Sequence, residues 1–134
     1  MIELFRFTDR SQSVAVEVRC EAPLMMGHEP YYAAEIVLES GFVNGRLRLQ
    51  VSHADLDAWE LCLDALEAEE GVEWPPGDRT AWMDVTPDDP VEVTVHDAPS
   101  TQISVRVPID VTADWLEESR LRLARVRAAV SASS

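Results

Sequence analysis

The stretch that most constrains this chain is Ser52 to Trp74 (SHADLDAWELCLDALEAEEGVEW), which reads as one amphipathic helix set between two groups of β-strands. Leu56, Trp59, Leu63 and Leu66 recur three and four residues apart, and Cys62 widens that apolar stripe. Asp57, Glu60, Asp64 and Glu67 fall on the other faces. Ser52 can cap the start, with Asp55 placed three residues on as in a capping box. Gly71 suits the left-handed residue that ends a helix. Glu67, Glu69 and Glu70 crowd the C-terminal end, where the macrodipole favours cations instead. That is the one local rule the helix breaks, so it is the first place to look for function.

On either side of this helix the apolar residues alternate. The apolar opening Ile2 to Phe7 and the alternating Ser13 to Glu21 read as a hairpin. Pro23 to Pro30 reads as a loop whose Met25 and Met26 either dock on the core, the commoner outcome, or lie exposed. Tyr31 to Glu39 and Arg46 to Val51 form a second hairpin, turning at Asn44-Gly45 or, in the alternative register, at Gly41. Val72 to Arg79 reads as a stiff loop around Trp74-Pro75-Pro76-Gly77. Strands follow at Thr80 to Val85, Val91 to His96 and Ile103 to Ile109, with turns at Pro87-Asp88-Asp89-Pro90 and Ala98-Pro99-Ser100-Thr101. Pro108 marks the last strand as an edge or a strand end. Thr112 is expected to cap a second helix with Leu116, Leu123, Val126 and Val130 on its apolar side, and Ser131 to Ser134 to fray. The expected fold is a single α+β domain spanning residues 1–134. It has a mostly antiparallel sheet of about seven strands and two helices, in the order ββββαβββα. No internal repeat stands out.

The residues Glu35-Ile36-Val37, Ser40 to Leu47, Asp55 to Trp59 and Asp64-Ala65-Leu66 with Trp74, then Val105 to Pro108 with Trp115 and Leu116, resemble an uncharacterised family of small acidic actinobacterial proteins. The likeness runs over nearly the whole chain. It rests on packing and turn residues, so it implies a relative of unknown function and transfers no catalytic residue.

Charge narrows the function classes. The net charge of −14 should repel nucleic acid and anionic lipid unless a local patch reverses the field, and should attract basic partners. No lysine is present; all eleven basic residues are arginine. None lies between Arg48 and Arg79, where Asp55, Asp57, Glu60, Asp64, Glu67, Glu69, Glu70, Glu73 and Asp78 fall. Arg120, Arg122, Arg125 and Arg127 crowd the end. The chain shows no basic leader and no apolar run of the roughly 20 residues a span needs, so a cytoplasmic protein is expected. Cys20 and Cys62 are expected to be buried thiols.

Catalytic and cofactor signals are thin. His28, His53, His96, Cys20 and Cys62 show no short metal-ligand spacing, and His53 with Asp57, four apart on the helix, more simply make a helix-start hydrogen bond. Cys62 on the apolar stripe is a poor nucleophile for His53 or His96. There is no G-x-S-x-G turn, dinucleotide fingerprint or P-loop. The expectation is therefore no enzyme, no cofactor and no metal. The helix end instead reads as a solvated face, as a partner for the terminal arginines, or as a docking surface for a basic protein. In the last case the binding residues are Glu60, Asp64, Glu67, Glu69, Glu70 and Glu73 with Trp74 as aromatic anchor. An immunity-type protein masking a basic partner fits by analogy. The competing expectation is a scaffold subunit that self-associates through its last helix or an edge strand.

Overall fold

In the computed structural model, all residues except Asp78, Pro99 and Ser134 are described, and the side chains of Ala132 and Ser133 are likewise left aside. The expected turn at Pro99, the acid at Asp78 and the end of the tail at Ser134 therefore lie outside the described residues. The described residues form nine strands and two helices: β1 (Ile2–Thr8), β2 (Gln12–Val18), β3 (Leu24–Met26), β4 (Glu29–Ser40), β5 (Asn44–Val51), α1 (His53–Glu67), β6 (Val72–Trp74), β7 (Ala81–Thr86), β8 (Val91–Asp97), β9 (Ile103–Ile109) and α2 (Trp115–Ser133). The architecture is α+β, as the patterning implies, with every strand pair antiparallel.

The strands divide into two sheets. One holds β1, β2 and β4 in sequence, with β5 on β4 and the short β3 beside the start of β4; the other runs β6-β7-β8-β9. Leaving out β3, each half of the chain is a four-strand meander followed by a helix. The repeat is topological, and it was invisible in the sequence because the two halves share patterning rather than residues.

The two strands beyond the expected seven are β3 and β6, both three residues long and both in stretches expected as loops. Strands this short carry too little alternation to be read. β3 folds back on β4 through Gly27, whose φ of +69° suits the tight reversal. Met25 and Met26 do not dock; each is more than half exposed. The second hairpin takes the Gly41 alternative. Ser40 Oγ accepts from the N–H groups of Phe42 and Val43 at 3.1 and 2.8 Å, closing the turn before Asn44, which then pairs with Glu39 inside the ladder. α2 starts at Trp115, three residues after Thr112, whose hydroxyl donates to Asp114. The expected fraying does not occur before Ser133.

The core is continuous across both sheets and both helices. At its centre Phe5 stacks on Phe7 and on Trp59, with ring centroids 4.8 and 4.7 Å apart, and Trp74 meets Trp59 edge-on at 5.7 Å. Aromatic side chains of this size dominate core energetics because each removes roughly 150–250 Å² from water. Asp9 joins the two halves at one corner. Its carboxylate accepts from the N–H groups of Ser11 and Gln12 next to it and of Asp110 across the fold.

Candidate functional site

The amphipathic helix is held where its sequence says it should start. Ser52 caps α1, accepting from Asp55 N, and Asp55 reciprocates by accepting from Ser52 N at 2.9 Å. Asp55 does more than cap. Its other carboxylate oxygen receives Arg79 Nη2 at 2.6 Å, and its backbone carbonyl receives the Trp74 indole N–H at 2.8 Å. One buried aspartate thus ties the start of α1 to β6 and to the segment leading into β7.

The far end of α1 departs from expectation. The helix stops at Glu67, and the left-handed residue is Glu69 at φ +63°, not Gly71. Glu69 N donates to Leu66 O and Glu70 N to Ala65 O, the pair of bonds that closes a Schellman motif. A glutamate at that position incurs the left-handed penalty, on the order of 1 kcal/mol, that glycine avoids. No basic residue stands in the last turn to offset the dipole.

Around this end the expected binding residues split into two groups. Arg127 reaches Glu60 at 2.7 Å and Asp57 at 2.8 Å, while Arg120 reaches Asp64 at 3.0 Å and Glu67 at 3.5 Å. The antiparallel packing of α2 on α1 brings these groups together, so Glu60, Asp64 and Glu67 are neutralised from within. Trp74 is wrong as an anchor: it is fully buried, with its N–H satisfied by Asp55. The flanking Pro-Pro corner made it look like a loop residue. Glu69, Glu70 and Glu73 remain. All three are exposed and have no ion pair among the described residues.

The other candidate chemistry resolves as follows. Asp57 is engaged by Arg127 and His53 sits edge-on to Tyr32, so the helix-start hydrogen bond expected between them is not formed. Among the described residues no cluster of three metal-ligating side chains occurs. Burial pushes the Cys62 thiol up to about 11, and its Sγ faces the Glu73 carbonyl. Cys20 is buried and its thiol is raised for the same reason. His96 is committed elsewhere: Nδ1 lies 2.7 Å from Ser104 Oγ and Nε2 lies 2.8 Å from Asp84 Oδ2, with the Trp82 ring stacked 3.8 Å away. Sequence reasoning missed this Asp84–His96–Ser104 line, which arises because the ladder sets His96 between Trp82 on β7 and Ser104 on β9, with Asp84 two residues beyond Trp82 on the same face. It lies across neighbouring strands on a sheet face. Its geometry is that of cross-strand hydrogen bonding, with Ser104 exposed to solvent instead of set in a cleft.

A family model matches residues 2–131. The chain belongs to DUF5959, a family of unknown function. No curated sequence matches it. Among solved structures, this DUF5959 fold is similar to the plant transcriptional regulator PBF-2, at a TM-score of 0.51 and 12% identity, covering 96% of this chain and 80% of that one. Likeness at that identity is a likeness of fold. No helix among the described residues is long and apolar enough to cross a membrane.

Proposed function

We propose that this protein is a binding module, not a catalyst, and that it docks a basic protein partner at the corner where α1 hands over to β6. The observation that carries this reading is Glu69. It departs from both the backbone and the dipole preference at one exposed position, beside Glu70 and Glu73, while the neighbouring acids are matched by α2. Unpaired charge of one sign steers an oppositely charged partner and fixes its register. An immunity-type role, masking a basic toxin-like protein, is the specific form of this proposal. The contact residues narrow to Glu69, Glu70 and Glu73, with Glu67 at the edge.

The test compares affinity capture by the wild-type chain and by the triple variant Glu69→Gln, Glu70→Gln, Glu73→Gln, at low salt and at about 0.15 M salt. One basic protein recovered by the wild type, weakened by salt and lost with the triple variant, is the expected result. Identical recovery by both chains refutes the docking site.

A second reading, self-association, is favoured by Leu61 and Leu121, which stand 68% and 59% exposed on the two helices. Light scattering at micromolar concentration separates the two: a dimer dispersed by Leu121→Ser supports self-association, and a monomer excludes it.

A further inference from the structure

The outer face of the first sheet carries both signs of charge, with Glu17, Glu35 and Glu39 among Arg19, Arg46 and Arg48. A groove of about 860 Å³ opens there, lined by Arg19, Arg48 and Arg79 with Tyr31, Gln50 and Glu35. Its shape follows from the register. Ala33 on β4 pairs with Gln50 on β5 on one side, and on the other its carbonyl accepts from Arg19 N at 2.8 Å. A small, exposed alanine therefore forms the floor between long side chains from the two flanking strands. Met26 of β3 and Thr80 ahead of β7 also line it.

The charges in this groove are not equivalent. Arg79 is held by Asp55 at 2.6 Å and by the Gln50 carbonyl at 3.1 Å, so it acts as a wall. Glu35 is held by Arg46 at 3.5 Å, and Arg46 also reaches Glu17 at 3.4 Å. Arg19 and Arg48 have no ion pair among the described residues, and both are exposed. They rise from the two strands flanking β4, Arg19 opposite Ala33 and Arg48 opposite Glu35, on a diagonal of roughly 12 Å at the usual strand spacing and rise, a gap that two arginine side chains can span from opposite sides. Guanidinium forks match phosphate oxygens bidentately. The carboxylate in the lining is Glu35, directly opposite Arg48 in the ladder and paired with Arg46, so Arg19, Arg48 and Arg79 leave the groove a local surplus of positive charge, while acids outside it are screened over about 8 Å at physiological salt.

We propose that this groove binds a small phosphate ester, the phosphate held between Arg19 and Arg48 and its organic body laid over Ala33 against Tyr31 and Met26. A groove of this volume, with an apolar floor and a few convergent polar groups, fits a ligand of nucleotide size. The site is on a different surface from the acidic corner and stands or falls independently of it.

Calorimetric titration of the full chain with AMP, adenosine and inorganic pyrophosphate tests the assignment. AMP and pyrophosphate bind, and adenosine binds at least about tenfold more weakly than AMP. Arg19→Gln and Arg48→Gln each weaken AMP about tenfold, while Arg125→Gln on α2 leaves it unchanged; unaltered thermal midpoints show the variants folded. Absence of binding by both AMP and pyrophosphate overturns the proposal. So does adenosine binding as tightly as AMP, or an affinity that ignores Arg19 and Arg48 or falls equally with Arg125→Gln.

Discussion

Replacing Asp55 by alanine should be among the most damaging single polar changes in this chain. The side chain is 3% exposed and serves two donors at once, Ser52 N at 2.9 Å and Arg79 Nη2 at 2.6 Å. Losing the acceptor strands the buried Ser52 N–H, at about 1–3 kcal/mol. Losing the carboxylate also strands Arg79. Breaking a fully buried pair costs about 3–5 kcal/mol, but the Arg79 side chain is 29% exposed and water recovers part of that. The two effects overlap in one group, so the expected total is about 3 kcal/mol. With an unfolding entropy near 2.1 cal/mol/K per residue over this length, that lowers the thermal midpoint by roughly 10 °C. Asp55→Asn keeps one acceptor and should lose about half as much. Arg79→Ala leaves the carboxylate buried with a single donor, and the double variant should be little worse than the more damaging single one, a coupling of at least about 1 kcal/mol. Circular dichroism melts with urea titrations measure all four chains. A drop below about 3 °C for Asp55→Ala, or single effects that simply add, refutes the claim that this aspartate ties helix, strand and loop together.

The interhelical arginines should behave in the opposite way. Arg127→Ala removes contacts to Asp57 and Glu60 that are 75% and 46% exposed, so it should cost under about 1 kcal/mol, and less still in high salt; a loss above about 2 kcal/mol in urea titration contradicts this. Burial raises the Cys62 thiol from an ordinary value of 9.0 to about 11. Its contribution to stability is therefore present below the ordinary thiol range and is lost as pH rises through 11. Native protein should resist a thiol-specific disulfide reagent at mildly alkaline pH and react fully once unfolded; rapid native labelling refutes the burial argument. Burial works to raise the Asp9 carboxyl, but the N–H groups of Asp110, Ser11 and Gln12 outweigh it and leave it below 3.8. Its stabilisation is present above that value and is lost as pH falls through the depressed one, so the melting difference between wild type and Asp9→Asn should shrink on acidification. A difference constant with pH contradicts the assignment.

Much of the fold was legible because alternation survives wherever one face is buried. Val14, Val16 and Val18, or Val91, Val93 and Val95, announce both the strand and the side that faces the core. The capping box was legible because Ser52 and Asp55 act locally. Tertiary contacts were not. Trp74 looked like a loop residue because nothing nearby in sequence reveals that Asp55 and Trp59 surround it. The helix end was misplaced at Gly71 because propensity favours glycine, whereas the apolar stripe gives out after Leu66 and Glu69 takes the left-handed turn. Arg120 and Arg127 could be grouped by sequence, but only the antiparallel docking of α2 shows which acids they neutralise. The Asp84–His96–Ser104 line and the Arg19–Arg48 groove depend on register between strands, which no spacing along the chain discloses.

The central claim is that Glu69 is retained for binding at the expense of stability, and Glu69→Gly tests it directly. Glycine relieves the left-handed strain and removes a charge that opposes the dipole, so the variant should be more stable by about 1 kcal/mol in urea titration. In the same preparation, capture of the basic partner should fall. A variant that is less stable than wild type, or one that is more stable and still captures the partner undiminished, contradicts the account.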